Sequence, residues 1–251
     1  MKITIVGYGF VGRAFQSILQ PHYDVKVVDP KYNTNQIDDD TEAVVVCVST
    51  PEGLGGVCNM YAVHETVRKS PDVPILIKST VSLEGWNHCK KTYGKRMAFS
   101  PEFMREASAM KDVRECEHVL VGGDEIDFWT DVFKKIYNAP YIEVAEPQEL
   151  ILAKYFRNAF LATKVSFFNQ VHDFCTASGI NPENVRKAIV SDLRINDSHS
   201  KVTKQKGFGG SCLPKDVKAI IASALYYGVN LSILEKVITY NQEIRNENNK
   251  K

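Results

Sequence analysis

The sequence predicts an α/β fold in which a doubly wound parallel sheet is followed by an all-helical domain. Three observations indicate this class. Short β-branched runs alternate with helical patterns over the first 145 residues. A glycine-rich turn joins the first run to the first helical pattern, and an unbroken helical pattern begins after Pro147. We therefore predict a Rossmann-like domain at residues 1–146 and a helical domain at residues 147–251.

The predicted strands are short, apolar and almost continuous. Such runs are typical of strands that are buried on both faces, as in a parallel sheet covered by helices. They lie at residues 2–6, 24–28, 43–48, 74–78, 96–100, 118–122 and 141–145. Apolar residues at 3.6-residue spacing predict helices between them, among others at 12–20, 60–68 and 124–137.

The second domain is predicted to contain helices only. Residues 148–178 include neither proline nor glycine and carry apolar residues at helical spacing, which indicates one long helix. Shorter helices are expected at about 182–191, 214–227 and 231–247. The last residues, 248–251, form a polar tail that we expect to be frayed.

Composition and charge limit the binding partners and the cellular compartment that we expect for this protein. The formal net charge is +1, so we expect neither a nucleic-acid partner nor a membrane partner. The six cysteines include no C-x-x-C pair and no cluster at zinc spacing, so no metal site is predicted. The amino terminus lacks a signal-like cleavage site. We therefore expect a cytoplasmic protein with reduced thiols.

The segment GYGFVG, which follows the first predicted strand, has the pattern G-x-G-x-x-G. Between a strand and a helix, Gly7 permits a tight turn, Gly9 lets a pyrophosphate approach the backbone, and Gly12 lets the helix and strand pack closely. The N–H groups of the helix then point at the phosphates. The predicted dinucleotide contacts of this loop are Gly7, Gly9, Phe10, Val11 and Gly12.

Asp29 ends the second predicted strand, 20 residues after Gly9. A carboxylate at this position can accept both hydroxyls of a ribose and repels a 2′-phosphate, so we predict NAD rather than NADP. Lys31 lies beside it and weakens that preference slightly. The alternative interpretation is a plain glycine turn followed by a surface aspartate.

The segment GFGGSCLPKD, at residues 207–216, combines permissive glycines with a thiol. Cys212 lies just before Pro214, which suits the first turn of a helix. A helix amino terminus stabilises a thiolate, and Lys215 could add to this effect. Taken alone, Cys212 is better interpreted as a small buried apolar residue, the usual role of a lone cysteine.

The motifs taken together resemble the UDP-glucose/GDP-mannose dehydrogenase family. The loop GFGGSC-x-x-KD is similar to the family's nucleophile loop, and the remaining motifs follow in the family's order. They are the glycine fingerprint, VSTPEG (48–53), KSTV (78–81), SPEFMREASAMKD (100–112) and ELILAKYFRNAFLATKVSFFNQ (149–170). The resemblance spans nearly all of residues 1–245.

The resemblance implies an NAD-dependent four-electron oxidation of a nucleotide sugar, with UDP-glucose to UDP-glucuronate as the expected reaction. Cys212 would add to the aldehyde that the first hydride transfer forms. The thiohemiacetal would lose the second hydride, and the thioester would then be hydrolysed. The resemblance also implies a homodimer formed through the helical domain.

Roles for further residues follow from the resemblance. Lys154 and Asn158, one turn apart on the long helix, would stabilise oxyanions. Glu102 would be the general base of thioester hydrolysis, and Asp216 would position a water or share the base role. Thr80 would place a water or touch the nicotinamide. Taken alone, Lys154 would be a solvated helix lysine and Asp216 an ordinary first-turn aspartate.

The resemblance also implies the composition of the two binding sites. Besides the glycine loop, the expected cofactor contacts are Asp29, Lys31, Thr50, Thr80, Glu106 and Lys215. The expected substrate contacts are Glu102, Phe103, Lys154, Asn158, Arg194, Phe208 and Gly209. The two threonines could instead be plain caps or turn residues. The spacing between Arg194 and Gly207 differs slightly from the family's pattern, which leaves that alignment open.

Family members continue into a carboxyl-terminal domain that binds the nucleotide, whereas this chain stops at Lys251. We expect a natural short form, a fragment, or a chain completed by another. One alternative function is a catalytically impaired NAD-binding module that dimerises with and regulates a partner. Another is a single-step 3-hydroxyacid dehydrogenase with Lys154 and Asn158 as its catalytic pair. The intact set of chemical residues argues against the first, and the cysteine loop argues against the second.

Overall fold

The structure is a computed structural model, which describes residues 1–32 and 34–249. Lys250 and Lys251, the end of the predicted polar tail, lie outside the described residues. The chain divides into two compact units, which we call the sheet unit and the helical unit. The sheet unit comprises residues 1–53 and 58–154, and the helical unit comprises residues 54–57 and 155–251.

Seven strands form the sheet, and each overlaps one of the seven predicted strands. They are β1 (Lys2–Val6), β2 (Asp24–Val28), β3 (Ala43–Val46), β4 (Ile75–Ile77), β5 (Met97–Phe99), β6 (His118–Gly123) and β7 (Tyr141–Val144). Their order across the sheet is β2-β1-β3-β4-β5-β6-β7. The residues of β3, β4 and β5 are all buried, as expected for strands covered on both faces.

Neighbouring strands run parallel with one exception, since β6 pairs antiparallel with β5. This pair departs from the predicted parallel sheet. Two adjacent glycines at the end of β6 pack closely against the backbone on both sides of the strand. A Cβ on Gly122 would lie 1.9 Å from the Ala145 carbonyl oxygen, and one on Gly123 would lie 2.4 Å from the Met97 carbonyl oxygen. Side chains at these two positions would therefore collide with the neighbouring backbone.

Helices cover the sheet. They are α1 (Phe10–Leu19), α2 (Tyr61–Lys69), α3 (Leu83–Tyr93), α4 (Ala109–Arg114) and α5 (Ile126–Ile136). The predicted helices at 12–20, 60–68 and 124–137 are confirmed by α1, α2 and α5. Helix α1 buries residues at helical spacing, including Phe15 and Leu19, in a core that also holds Trp129 and Phe133.

The helical unit has no strand among its described residues, as predicted. The long helix α6 (Pro147–Ala177) runs through 31 residues and confirms the predicted long helix. It is followed by α7 (Pro182–Val190), α8 (Leu213–Tyr226) and α9 (Ser232–Asn249). Asn181 caps α7 by accepting the N–H groups of Glu183 and Asn184. In the described part of the chain, no helix is long and apolar enough to cross a membrane.

Candidate active site

The glycine loop between β1 and α1 is shaped by two glycines whose positions leave no room for a side chain. Gly7 has a φ of +95°, and a Cβ there would lie 2.6 Å from the backbone of Cys47 and Val48. A Cβ on Gly12 would lie 2.1 Å from the carbonyl oxygen of Gly7. Gly9 differs, because no atom lies within 4 Å of its Cβ position. The loop is therefore packed at both ends and open in its middle, an arrangement that fits a dinucleotide pyrophosphate.

The amino terminus of α1 lies at this opening. Gly9 is its N-cap, no side chain caps the helix, and no acidic residue occurs in its first turn. The first N–H groups can therefore bind a phosphate. Phe10 and Val11 begin the helix and are half-buried. Arg13, which the sequence interpretation missed, adds an exposed cation that donates to the Tyr8 carbonyl at 3.2 Å. A basic residue in the first turn after the glycines was the available signal.

Asp29 is tied to the same loop. One carboxylate oxygen accepts the Tyr8 N–H at 2.7 Å, and the other accepts the Lys31 N–H at 2.9 Å. These bonds fix the carboxylate at the end of β2. A carboxylate oxygen carries more than one acceptor site, so ribose hydroxyls can still bind. Asp29 is therefore not an unattached surface aspartate, and its contact with a cofactor stays a prediction.

Lys78 and Glu102 form a buried ion pair that the sequence interpretation did not predict. Their side chains are only 3% and 12% exposed. The Lys78 ammonium also donates to Ser100 Oγ at 3.0 Å and lies 4.7 Å from the centre of the Phe15 ring. Burial raises the pKa of the nearby Cys47 thiol, an effect that the Lys78 charge opposes. Glu102 is therefore held by a specific cation inside the sheet unit.

Lys154 is buried and contacts the same segment. Its ammonium donates to the Glu102 carbonyl at 2.5 Å and lies 5.9 Å from the centre of the Phe103 ring. Its 7% exposure excludes the interpretation as a solvated helix lysine. The structure thus brings together three of the predicted site residues, Glu102, Phe103 and Lys154.

Three further residues of the sheet unit were predicted to line the cofactor crevice. Thr50 is buried, beyond the end of β3. Thr80 is half-buried, and its carbonyl accepts the Cys58 thiol at 3.7 Å. Glu106 is exposed and opens a short 3₁₀ turn. Their contacts with a cofactor stay predictions.

In the helical unit, Cys212 is the N-cap of α8 and is exposed. The other five cysteines are all buried or half-buried, and all six are free thiols. The interpretation of Cys212 as a buried apolar residue is therefore wrong. Its Sγ lies 3.6 Å from Ser211 Oγ, and its carbonyl accepts the Asp216 N–H at 2.8 Å as the first helical bond.

Asp216 is buried one turn along α8. Its Oδ2 accepts from Asn158 Nδ2 at 2.7 Å, and its Oδ1 accepts from the Lys215 ammonium at 2.6 Å. With a side chain 2% exposed, it is not an ordinary first-turn aspartate. Lys215, predicted to support the Cys212 thiolate, forms its ion pair with Asp216. The structure brings together Asn158, Lys215 and Asp216 at the end of α8 that carries Cys212.

The remaining predicted substrate contacts differ in exposure. Phe208 is buried, with 3% of its surface exposed. Gly209 packs against the guanidinium of Arg245, 3.0 Å from its Cβ position. Arg194 is exposed and pairs with Asp192 at 2.6 Å. Only Arg194 among these three presents a charged side chain to solvent.

Sequence profiles of one family match both halves of the chain. The profile described as UDP-glucose/GDP-mannose dehydrogenase family, NAD binding domain, matches residues 31–140. The profile of the central domain of the same family matches residues 148–243. The first match confirms NAD as the predicted cofactor of the sheet unit.

Individual relatives agree with the profiles. A UDP-glucose 6-dehydrogenase of Rickettsia bellii is 32% identical over 218 residues, which cover 81% of this chain and 50% of that protein. A UDP-glucose 6-dehydrogenase of Campylobacter jejuni is 30% identical over an alignment of 287 positions, which covers 96% of this chain and 72% of that protein. The chain thus spans about half the length of several curated relatives that it matches.

Solved structures show the same fold. A UDP-glucose dehydrogenase from the archaeon Pyrobaculum islandicum matches with a TM-score of 0.83 at 24% identity. The match covers 96% of this chain and 68% of that one. Profiles, relatives and fold agree, and the chain belongs to the UDP-glucose/GDP-mannose dehydrogenase family.

Proposed function

We propose that this chain is a nucleotide-sugar dehydrogenase that oxidises UDP-glucose to UDP-glucuronate in two steps through a covalent intermediate on Cys212. The observation that carries the proposal is the exposed thiol at the start of α8, with the buried Asp216 one turn further on. Burying a charged carboxylate costs free energy even when two donors bind it. Ionisable groups in such surroundings cluster at functional sites. The names of the curated relatives support UDP-glucose as the substrate.

NAD supplies the hydride acceptor for both oxidation steps. The open backbone at Gly9, the uncapped start of α1 and the fixed carboxylate of Asp29 are the groups that would hold it. The backbone N–H groups would bind the phosphates, and the Asp29 carboxylate would bind the ribose. Two cofactor molecules are consumed for each sugar because four electrons are removed.

In the first step the primary hydroxyl of the sugar loses a proton as its carbon loses a hydride. We assign stabilisation of the developing alkoxide to the Lys154 ammonium. We assign the proton to the Asp216 carboxylate, through a water, since Asn158 and Lys215 keep that group in position. The product of the step is an aldehyde.

In the second step the Cys212 thiolate adds to the aldehyde carbon, which forms a C–S bond and a thiohemiacetal oxyanion. Lys154 and the amide of Asn158 stabilise that oxyanion in the proposed mechanism. Loss of the second hydride from the same carbon yields a thioester. A single-hydride dehydrogenase would have no need for this thiol.

Hydrolysis then releases the product. Glu102 takes a proton from water, the resulting hydroxide adds to the thioester carbonyl, and the C–S bond breaks. The acid loses its remaining proton to solvent and leaves as the carboxylate, Glu102 returns its proton to solvent, and the Cys212 thiolate is regenerated. The Lys78 ammonium supports this step by holding the Glu102 carboxylate in one place.

We also propose that two copies of the chain associate through the helical unit. Four phenylalanines on α6 follow one another at intervals of four or seven residues and are 44% to 73% exposed, namely Phe156, Phe160, Phe167 and Phe174. This spacing places them along one stripe of the helix. An exposed apolar stripe is typical of an interface. The six free thiols fit our assignment of the enzyme to the cytoplasm.

The test is an NADH stoichiometry assay with UDP-glucose, UDP-N-acetyl amino sugars and GDP-mannose. We expect two NADH and one uronate for each UDP-glucose consumed, and no uronate from the Cys212→Ala variant. One NADH per substrate, unchanged by Cys212→Ala, would indicate a single-step dehydrogenase instead. NAD binding without reduction by any of these sugars would indicate a regulatory module and would contradict the proposal.

A further inference from the structure

The loop that carries Cys212 is held by the side-chain amides of two buried asparagines. Asn169, on α6, accepts the Gly207 N–H with its Oδ1 at 3.1 Å. Asn241, on α9, accepts the Phe208 N–H at 2.7 Å and donates its Nδ2 to the Phe208 carbonyl at 3.0 Å. Asn169 is 1% exposed and Asn241 is 5% exposed. Two helices therefore hold consecutive residues of one loop.

An asparagine suits the Phe208 position because its carboxamide offers a donor and an acceptor side by side. It pairs with both backbone groups of Phe208 as a peptide group of a neighbouring strand would. Leucine, of similar size, would leave a buried N–H and a buried carbonyl without partners. The amide of Asn169 is oriented in turn, because its Nδ2 donates to the Val165 carbonyl at 2.8 Å.

Side chains of α9 also explain why glycine occupies two positions of this loop. A Cβ on Gly207, which has a φ of +57°, would lie 2.3 Å from Asn241 Oδ1. A Cβ on Gly209 would lie 3.0 Å from the guanidinium of Arg245, which itself donates to the Lys206 carbonyl at 3.3 Å. At these two positions α9 fills the space, whereas no atom lies within 4 Å of the Cβ position of Gly210.

We propose that Asn169 and Asn241 are positioning residues for the nucleophile. They fix the loop at Gly207 and Phe208, and the first helical bond of α8 fixes it at Cys212. Only three residues, two of them glycines, lie between these anchors. Without the amides, a glycine-rich segment would gain backbone freedom that the thiol would share. The inference rests on the proposed role of Cys212.

The experiment compares Asn241→Leu with Asn246→Leu in the full chain. Asn246 lies on the same helix and is exposed, so it is the matched control. Hydrogen–deuterium exchange of the Gly207 and Phe208 amides is measured without substrate, and kcat and the KM for NAD are measured with UDP-glucose. We expect Asn241→Leu to accelerate exchange at the Phe208 amide, whose acceptor it removes, and to lower kcat, each by about tenfold, the effect of one or two buried hydrogen bonds. The KM for NAD and exchange in α1 should not change.

Each outcome bears on the proposal. Wild-type exchange at Phe208 in Asn241→Leu would overturn the anchoring. Faster exchange with an unchanged kcat would overturn the positioning role. If Asn241→Leu does not fold, Asn169→Leu, which removes the other anchor, must accelerate exchange at the Gly207 amide and lower kcat, or the proposal fails. A wild-type chain that oxidises no nucleotide sugar contradicts the proposed function, whereas the exchange rates still decide the anchoring.

Discussion

The Lys78 ammonium and the Glu102 carboxylate form an ion pair in which neither side chain is more than 12% exposed. The two residues follow β4 and β5, which are neighbours in the sheet. Because the carboxyl ends of parallel strands meet at one edge, residues that follow adjacent strands come together there. Lys78, which has no other assigned role, therefore fixes the position of Glu102, the proposed base.

We expect Lys78→Met to destabilise the protein by about 3 kcal/mol, since it leaves a buried carboxylate without its cation. The double variant Lys78→Met/Glu102→Gln should recover part of this loss, because the remaining amide is neutral. Urea unfolding of the single and double variants measures both effects. Arg68→Met, in the exposed pair with Glu65, is the control and should change stability little. Equal stability of Lys78→Met and wild type would contradict the burial of a charged pair.

Variants of two glycines should separate the effect of the loop on protein stability from its effect on NAD binding. Gly9→Ala should fold with wild-type stability, because its Cβ position is empty, but should weaken NAD binding by blocking the pyrophosphate. Gly7→Ala should lower the melting temperature, because its Cβ meets backbone atoms at 2.6 Å. Thermal unfolding and calorimetric titration with NAD check the two variants. If Gly9→Ala bound NAD as wild type does, the loop would not hold the pyrophosphate.

The cysteines should differ strongly in reactivity. Burial raises the pKa of Cys89 to about 11 and also raises those of Cys47 and Cys116, so at pH 8 these thiols stay protonated. Iodoacetamide reacts with thiolates. We therefore expect the native protein to be alkylated first at the exposed Cys212, and at Cys47, Cys89 and Cys116 only at higher pH or after unfolding. Peptide mapping gives the sites, and early alkylation at Cys89 would contradict the structure.

The apolar stripe of α6 yields a prediction about assembly. Phe160→Lys and Phe174→Lys place charges on side chains that are 67% and 73% exposed, so folding should be preserved while self-association is lost. Sedimentation velocity should show a dimer for the wild type and a monomer for the double variant. Lys187→Glu, an exposed change on α7, is the control and should leave the dimer intact. A wild-type monomer would contradict the proposed homodimer.

Much of the fold could be predicted from local pattern. Continuous β-branched runs fix where the strands lie, and a stretch without proline or glycine fixes α6. The direction of β6 could not be predicted from local pattern, because it is defined by pairing with β5, whose residues are distant in sequence. Helix α3 was not among the predicted helices, although Ser82 caps its start and Gly94 ends it.

Site residues could be predicted from the sequence where the type of side chain itself suggests a chemical role. They could not be predicted where the side chain only holds another residue in place. Asp29 and the glycine fingerprint stand out by type and position, and Cys212 stands out once the surrounding motif is compared with the family. Lys78 and Asn241 do not, because a lysine after a strand and an asparagine in a helix are usually solvated. Their tasks arise from partners 24 and 33 residues away along the chain, which only the folded arrangement brings into contact. For Asn241, a polar residue within an otherwise apolar helix face was the available signal.

The covalent intermediate on Cys212 is the central claim, and trapping it is the most direct measurement. Glu102→Gln keeps the size of the side chain but removes the base that we assign to thioester hydrolysis. After a reaction with UDP-glucose and NAD is quenched in acid, mass spectrometry of the peptides should show a UDP-glucuronyl thioester on Cys212. Formation of UDP-glucuronate at the wild-type rate by Cys212→Ala, or turnover by the wild type with no adduct on Cys212 in the Glu102→Gln variant, would contradict the claim.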